Sequence, residues 1–358
     1  MTTPSFDARG LQQRLAAQPL VQLTLVRIRE FVREPEAVFW TFFFPIVLAI
    51  ALGIAFRGGG NDPVPVAVQA GAGADGVAKV LRNSGRADVQ LLAEQEANRA
   101  LRRGDVAVIV IPHSGAVRYR YDPARADGRT ARLVVDDVLQ RAAGRADPRR
   151  VVDVHVTERG ARYIDFLIPG LLGLNLLSTG LWGVGYTVVR MRSDQLLKRY
   201  ATTPVRRSEF LLSFMLGRLL FLTLEVPLLI GFAALVFDVP VRGSLGTLGL
   251  AAVLGAFSFT GLGLLVASRT RSTDGVQGLM NLVAVPMWIL SGVFFSAAHF
   301  PDAMQPLIQA LPLTAMNNAL RAVLLDGATL IGVAGSLTIV LAWGAASFGV
   351  ALAIFRWR

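Results

Sequence analysis

The chain contains no cysteine, which excludes disulfides, zinc–thiolate sites and cysteine nucleophiles at once. Any exported part of it must therefore fold on packing alone. Lysine is nearly absent: only Lys79, before Val80, and Lys198, before Arg199, occur in 358 residues. A phosphate-binding P-loop needs a lysine followed by Ser or Thr, because the ammonium holds the β/γ-phosphates and the hydroxyl binds Mg²⁺. Neither lysine qualifies, so ATP hydrolysis by this chain is excluded and it is not expected to be an enzyme. The three histidines, His113, His155 and His299, lack metal-ligand spacing, and no GxSxG or HExxH occurs. Charge is also scarce, at 17% of residues against about a quarter in an ordinary soluble domain.

What the sequence has instead is apolar length. Hydrophobic residues make up 53% of it, with a mean hydropathy of +0.51. Residues 37–56, AVFWTFFFPIVLAIALGIAF, run for twenty positions without a charge, enough to cross a hydrocarbon core of about 30 Å. Further apolar runs lie at about 164–189, 211–237, 245–268, 275–297 and 329–355, giving six expected transmembrane helices. Residues 1–36 are polar at first and then carry Leu20, Leu23, Leu25, Ile28, Phe31 and Val32 at helical spacing among arginines, the pattern of an interfacial amphipathic helix. No apolar segment with a small-residue cleavage site lies near Met1, so no removable signal peptide is expected.

Residues 57–162 differ in character. Strand-patterned runs at 64–68, 106–111, 117–121 and 151–156 alternate with helical patterns at 75–83, 94–103 and 129–142, which predicts a compact α/β domain inserted after the first span. The short loops place it. The N-terminus carries five basic residues, 190–210 six, 269–274 two and 356–358 two, against Arg242 and Arg321 on the other side. Basic residues mark the cytoplasmic side, so both termini are expected inside and the α/β domain outside. The net charge of +11 is explained by membrane orientation and calls for no nucleic-acid partner.

The stretch MRSDQLLKRYATTPVRRSEFL at 191–211 then becomes a charged helix at the inner membrane surface. With a start near Asp194 and Ser193 as N-cap, Leu196, Leu197 and Tyr200 share one arc, while Asp194, Gln195, Lys198 and Arg199 face the other way. Thr203-Pro204 stops it. This segment resembles the cytoplasmic coupling segment of ABC-2 type permeases, the membrane subunits of ATP-binding cassette exporters. REPEAVFWTFFFPIVLAI (33–50), YIDFLIPGLLGLNLLSTG (163–180) and SGVFFSAAHFPDAMQPLIQALPLTAMNNALRAVLLDG (291–327) resemble that family's first span, second span and late signature. The resemblance implies a coupling helix at 193–203 that rests on a separate ATPase, with ATP and Mg²⁺ held there and no cofactor in this chain. It implies two ATPase copies, a second permease subunit, a prokaryotic inner membrane, and a re-entrant segment at 299–326 closing the path from outside. The external domain resembles the drug- and antibiotic-efflux branch; lipid or polysaccharide export, ion extrusion, and a membrane-anchored sensor or adhesion protein are the alternatives.

Glu225, Pro227, Asn281 and Pro286 are the candidate path residues. Glu225 sits deep in the third span and is either a polar wall of the path or an internally paired or protonated structural residue. Arg218 reads as a snorkelling side chain. Pro227 and Pro286 are expected to break their spans. Trp182, Trp288 and Phe294–Phe295 read as lipid or packing contacts. Small-residue spacings at Ala251/Gly255, Ala252/Ala256 and Ala345/Gly349/Ala353 suit close helix packing, within one subunit or between two. GAGADG at 71–76 matches the glycine pattern of dinucleotide-binding loops but reads as a strand-to-helix turn.

Overall fold

A computed structural model describes residues 19–55, 62–113, 116–145, 162–203, 205–270 and 272–355. They fall into two units, a helical one and a smaller one within residues 56–155.

Helix α1 (Pro19–Arg33) turns only two side chains, Leu23 and Arg27, fully inward. Helix α2 (Pro35–Ala55) starts on a proline, whose fixed φ and missing N–H suit a first turn. Its residues Phe39–Phe43 are π-helical. Pro45 has no N–H for the Thr41 carbonyl four residues back, and that carbonyl takes a donor from elsewhere: Asn175 Nδ2, at 3.0 Å.

The smaller unit alternates β1 (Val64–Gln69), α3 (Ala74–Asn83), β2 (Ala87–Leu92), α4 (Glu94–Arg103), β3 (Val108–His113), β4 (Ala116–Arg120) and α5 (Ala126–Ala142). The sheet order is β2-β1-β3-β4, parallel except for β4, which runs antiparallel to β3. Central β1 is buried on both faces. Val66 and Val68 pack with Ala78, Leu81, Ala131 and Val135 of α3 and α5, and Ala67 packs with Ala97 and Ala100 of α4. Strand β2 was not anticipated from sequence, and the strand expected at 151–156 lies outside the described residues.

The helical unit continues with α6 (Tyr163–Ser193), π-helical over Thr179–Tyr186, then α7 (Leu196–Ala201), α8 (Arg207–Phe237), α9 (Leu245–Ala267), α10 (Thr273–Leu290), α11 (Gln305–Ala310), α12 (Pro312–Leu324) and α13 (Leu330–Ile354). Among the described residues five helices are long and apolar enough to cross a membrane: Pro35–Ala55, Tyr163–Ser193, Ser208–Phe237, Leu245–Ala267 and Leu330–Ile354. The remaining expected span, the fifth in chain order, is α10, whose 18 residues include Asp274, Gln277 and Asn281, and it is not apolar enough to join them. Pro227 and Pro286 do not break their helices; each lies inside a continuous one, because the loss of a single hydrogen bond is tolerated where neighbours hold the helix. Helices α6 and α9 cross at glycine: a Cβ on Gly263 would stand 2.2 Å from the Gly180 carbonyl oxygen. Ala251, Ala252, Gly255 and Ala256 are all buried within the chain, so that pair of spacings serves internal packing, whereas Ala345, Gly349 and Ala353 form an exposed row on α13.

Candidate functional site

The segment between α6 and α8 is a helix, a left-handed joint and a second short helix. Ser193 ends α6 rather than capping a new helix, Asp194 closes it with its N–H on the Arg190 carbonyl at 2.9 Å, and Gln195 at φ 63 redirects the chain. Gln195, not Ser193, therefore precedes the helix, which starts at Leu196. A Gln in this conformation is uncommon, and its side chain accepts a hydrogen bond from Lys198 Nζ at 2.7 Å. The two faces meet different surroundings. Leu197 is 1% exposed, and Leu196 and Tyr200 pack with it into this chain's own core, so the apolar arc is already covered. Asp194, Gln195, Lys198 and Arg199 are exposed.

Tyr200 lands on Phe210, with ring centroids 5.4 Å apart, and Phe210 in turn meets Phe355 at 6.1 Å and Phe214 at 5.3 Å. Arg27 of α1 places its guanidinium 4.3 Å from the Phe214 ring centre while pairing with Glu30 at 2.6 Å. The coupling segment, the N-terminal helix, the start of α8 and the end of α13 thus share one aromatic cluster. A cation over an aromatic face contributes about 0.5–2 kcal/mol, more as water is excluded.

Glu225 does not border an open path. It is 2% exposed, its Oε2 accepts from Arg218 Nη1, and its Oε1 accepts from Asn175 Nδ2 at 2.8 Å. Arg218 is correspondingly buried and does not snorkel, because a carboxylate two turns along the same helix face compensates its charge. Asn175 bridges this pair to the Thr41 carbonyl, so α2, α6 and α8 are tied at one polar point. Pro227 lies on the opposite, exposed side of α8 beside Leu220, Leu224 and Leu228, a mostly apolar stripe in which Thr223 is the polar member.

Asn281 and Pro286 are differently placed. Helix α10 buries only Val276, Met280, Ala284 and Met287, and exposes Gln277 and Asn281 one turn apart, with Val285 and Pro286 beyond them. It meets the π-helical part of α6 where Trp182 and Trp288 stack at 5.7 Å. On α6, Thr179, Trp182, Gly183 and Tyr186 are half-buried or exposed. The result is a surface of half-buried aromatic rings beside the exposed Gln277 and Asn281 on two adjoining helices. Sequence reasoning named Asn281 and Pro286 but missed Gln277, whose signal was its four-residue spacing from Asn281.

In the α/β unit, the polar groups are largely committed to one another. A hollow of about 420 Å³ bordered by α3 and α5 contains Asp137, whose carboxylate Arg86 reaches at 3.4 Å, Arg141 at 3.1 Å, and Arg145 as well. Tyr119 donates to Asp136 at 3.0 Å, and burial together with this bond pushes its phenol above the usual range, which makes it a neutral donor and no base. The GAGADG turn follows β1, and Gly73 needs its glycine at φ 82. Gly76 has no atom within 4 Å of its Cβ direction, so the close helix-to-strand approach that a dinucleotide loop requires of its last glycine is missing.

Comparison with known proteins agrees with this membrane architecture. Residues 36–353 match the profile of the ABC-2 family transporter proteins, and the chain belongs to that family. It is 29% identical over 168 residues to ABC transporter G family member 20 of Dictyostelium discoideum, covering 47% of this chain and 23% of that protein. It is 30% identical over 121 residues to the inner membrane transport permease YhhJ of Escherichia coli, covering 34% and 32%. With the probable multidrug ABC transporter permease YbhS of Escherichia coli it shares 25% over 163 residues, covering 45% and 43%. The chain thus matches less than half the length of each of these relatives. The family and the five long apolar helices make it a multi-pass membrane protein of the ABC-2 family.

Proposed function

We propose that this ABC-2 family member, with a second permease subunit and two ATPase copies, forms the path by which an amphipathic, drug-like compound leaves the cell across the inner membrane. The observation that carries this reading is the surface on α6 and α10. The exposed faces of the long helices are mostly apolar, with Trp40 and Trp343 among them, but on α6 and α10 the half-buried Trp182, Tyr186 and Trp288 adjoin Thr179, Gln277 and Asn281, so rings and uncharged hydrogen-bonding groups share one patch. Rings with a few uncharged hydrogen-bonding groups suit a ligand that is largely apolar and weakly polar. An ion path would call for an uncompensated carboxylate, and Glu225 is already paired. The name of the multidrug relative YbhS points the same way. In this reading α10 crosses the membrane as the fifth of six spans, 299–326 dips back from outside, the α/β unit is extracytoplasmic, the termini are cytoplasmic, and the exposed face of 194–199 receives the ATPase.

The test is ATP hydrolysis by the chain reconstituted with its ATPase in vesicles, titrated with ethidium, Nile red and erythromycin. A stimulating compound should need about tenfold more for half-stimulation after Trp182→Ala or Trp288→Ala, the loss of roughly one aromatic anchor. Stimulation by lipid headgroup composition alone, indifferent to both tryptophans, would move the reading to lipid export.

A further inference from the structure

Arg192 is the penultimate residue of α6, three positions before the left-handed Gln195 that opens the coupling helix. Its guanidinium reaches the C-terminal end of α9. Nη1 donates to the Ala267 carbonyl at 2.7 Å and to the Thr270 carbonyl, and Nη2 donates to the Ser268 carbonyl at 3.0 Å. A helix end leaves these carbonyls without backbone donors and carries partial negative charge, so a cation there is favoured twice over. The same guanidinium lies 5.6 Å from the ring centre of Phe355, the residue that ends α13. A planar fork aims its donors in fixed directions, whereas a lysine ammonium, which also has three donors, satisfies the charge from a flexible stem and fixes the geometry less.

What Arg192 holds is the turn that starts α10. Ser272 caps that helix, accepting from the Gly275 N–H at 3.1 Å, only two residues beyond Thr270. One side chain therefore joins the coupling segment to the base of the helix that carries Gln277 and Asn281. We propose that Arg192 is a positioning residue, the latch through which a displacement of the coupling helix moves the α9–α10 turn and with it α10. The inference rests on the reading above, in which 194–199 receives the ATPase and α10 borders the path. A residue that merely capped α9 would stabilise the chain and leave the relation between hydrolysis and transport untouched.

Two measurements separate these roles, and the absence of native cysteine makes the first clean. Spin labels on Thr202→Cys and Arg269→Cys, both exposed positions, read the distance between the coupling segment and the α9–α10 turn in the full chain without any ATPase. The distribution should be narrow with Arg192 present and broad in Arg192→Ala and Arg192→Lys. In vesicles containing the ATPase, Arg192→Lys, which keeps the charge on the helix end and so guards the fold, should retain ATPase recruitment and unstimulated hydrolysis. Transport per ATP should fall roughly 2- to 30-fold, the range that a lost coupling contact spans. A narrow distribution in both variants, or wild-type transport per ATP in Arg192→Lys, overturns the latch. Charge reversal at Asp194, Lys198 and Arg199 that leaves ATPase recruitment intact would instead sink the docking reading, while the distance measurement still decides the latch.

Discussion

Removing the Glu225 carboxylate should destabilise this chain far more than removing both members of its ion pair. The side chains of Arg218 and Glu225 are 6% and 1% exposed, so neither charge can turn to water. Breaking a buried pair from one side costs about 3–5 kcal/mol, because the remaining charge has lost its partner but not its burial. Arg218 Nε and Nη2 already lack acceptors, so no neighbour stands ready to replace the carboxylate. A guanidinium also cannot shed its proton, whereas a carboxylate can neutralise itself by taking one. The losses should therefore be unequal: Glu225→Ala near the top of that range, and Arg218→Met smaller, since Glu225 keeps its 2.8 Å bond from Asn175 while Arg218 has no other acceptor to turn to. Glu225→Gln preserves that acceptor and falls between them. Arg218→Met with Glu225→Met removes both charges and fills similar volume, and should lie between neutral and about 4 kcal/mol more stable than the original pair. Thermal unfolding of the four variants and of Glu225→Met in one detergent gives the ordering directly, the two methionine singles and their double closing a double-mutant cycle. If Glu225→Ala costs under about 1 kcal/mol, or the double replacement fails to rescue it, the carboxylate is solvated and belongs on a path after all.

The two faces of the coupling helix should separate in the same way. Leu197→Ala should lower thermal stability by about 2–5 kcal/mol, as a buried leucine does. Reversing Asp194, Lys198 and Arg199 together should shift stability by no more than about 0.5 kcal/mol while abolishing ATPase co-purification, and matching stability losses in the two variants would contradict the assignment of faces. Gly263→Ala should be badly tolerated, since its Cβ would meet the backbone oxygen of Gly180 at 2.2 Å and overpacking alone costs about 1–3 kcal/mol. Gly349→Ala, with no atom within 4 Å, should leave monomer stability unchanged or improved; gel-filtration profiles after heating would show a reversed order if the α6–α9 crossing were looser than described.

Much of this was legible in the sequence for a simple reason: long uncharged runs and basic loops report a solvent, and the solvent selects helices. The parallel strands β1 and β3 were legible as continuous valine and isoleucine runs buried on both faces. Strand β2, ADVQLL, was not, because an edge strand with two polar positions in six resembles loop. The π-helical turns left no mark, since they depend on what the backbone must pack around. Arg218 and Glu225 stand seven residues apart, hence on one helix face, and that spacing could have suggested a pair. Asn175, fifty residues away in sequence, could not have been added to it.

The coupling segment shows where pattern reading stops. Amphipathic spacing correctly divided Leu196, Leu197 and Tyr200 from Asp194, Gln195, Lys198 and Arg199, but a pattern states which face is apolar and not what covers it. Here Phe210 and the core beneath it cover the apolar face, so the helix is bound firmly to its own subunit and presents its charged and polar side chains outward. That inversion makes mechanical sense. A helix seated by its apolar face in an ATPase would be loosely held by its own chain and would transmit little. One anchored by Leu197 and Tyr200 and touched by a partner on its charged side moves with the aromatic cluster beneath it, and so passes the push inward.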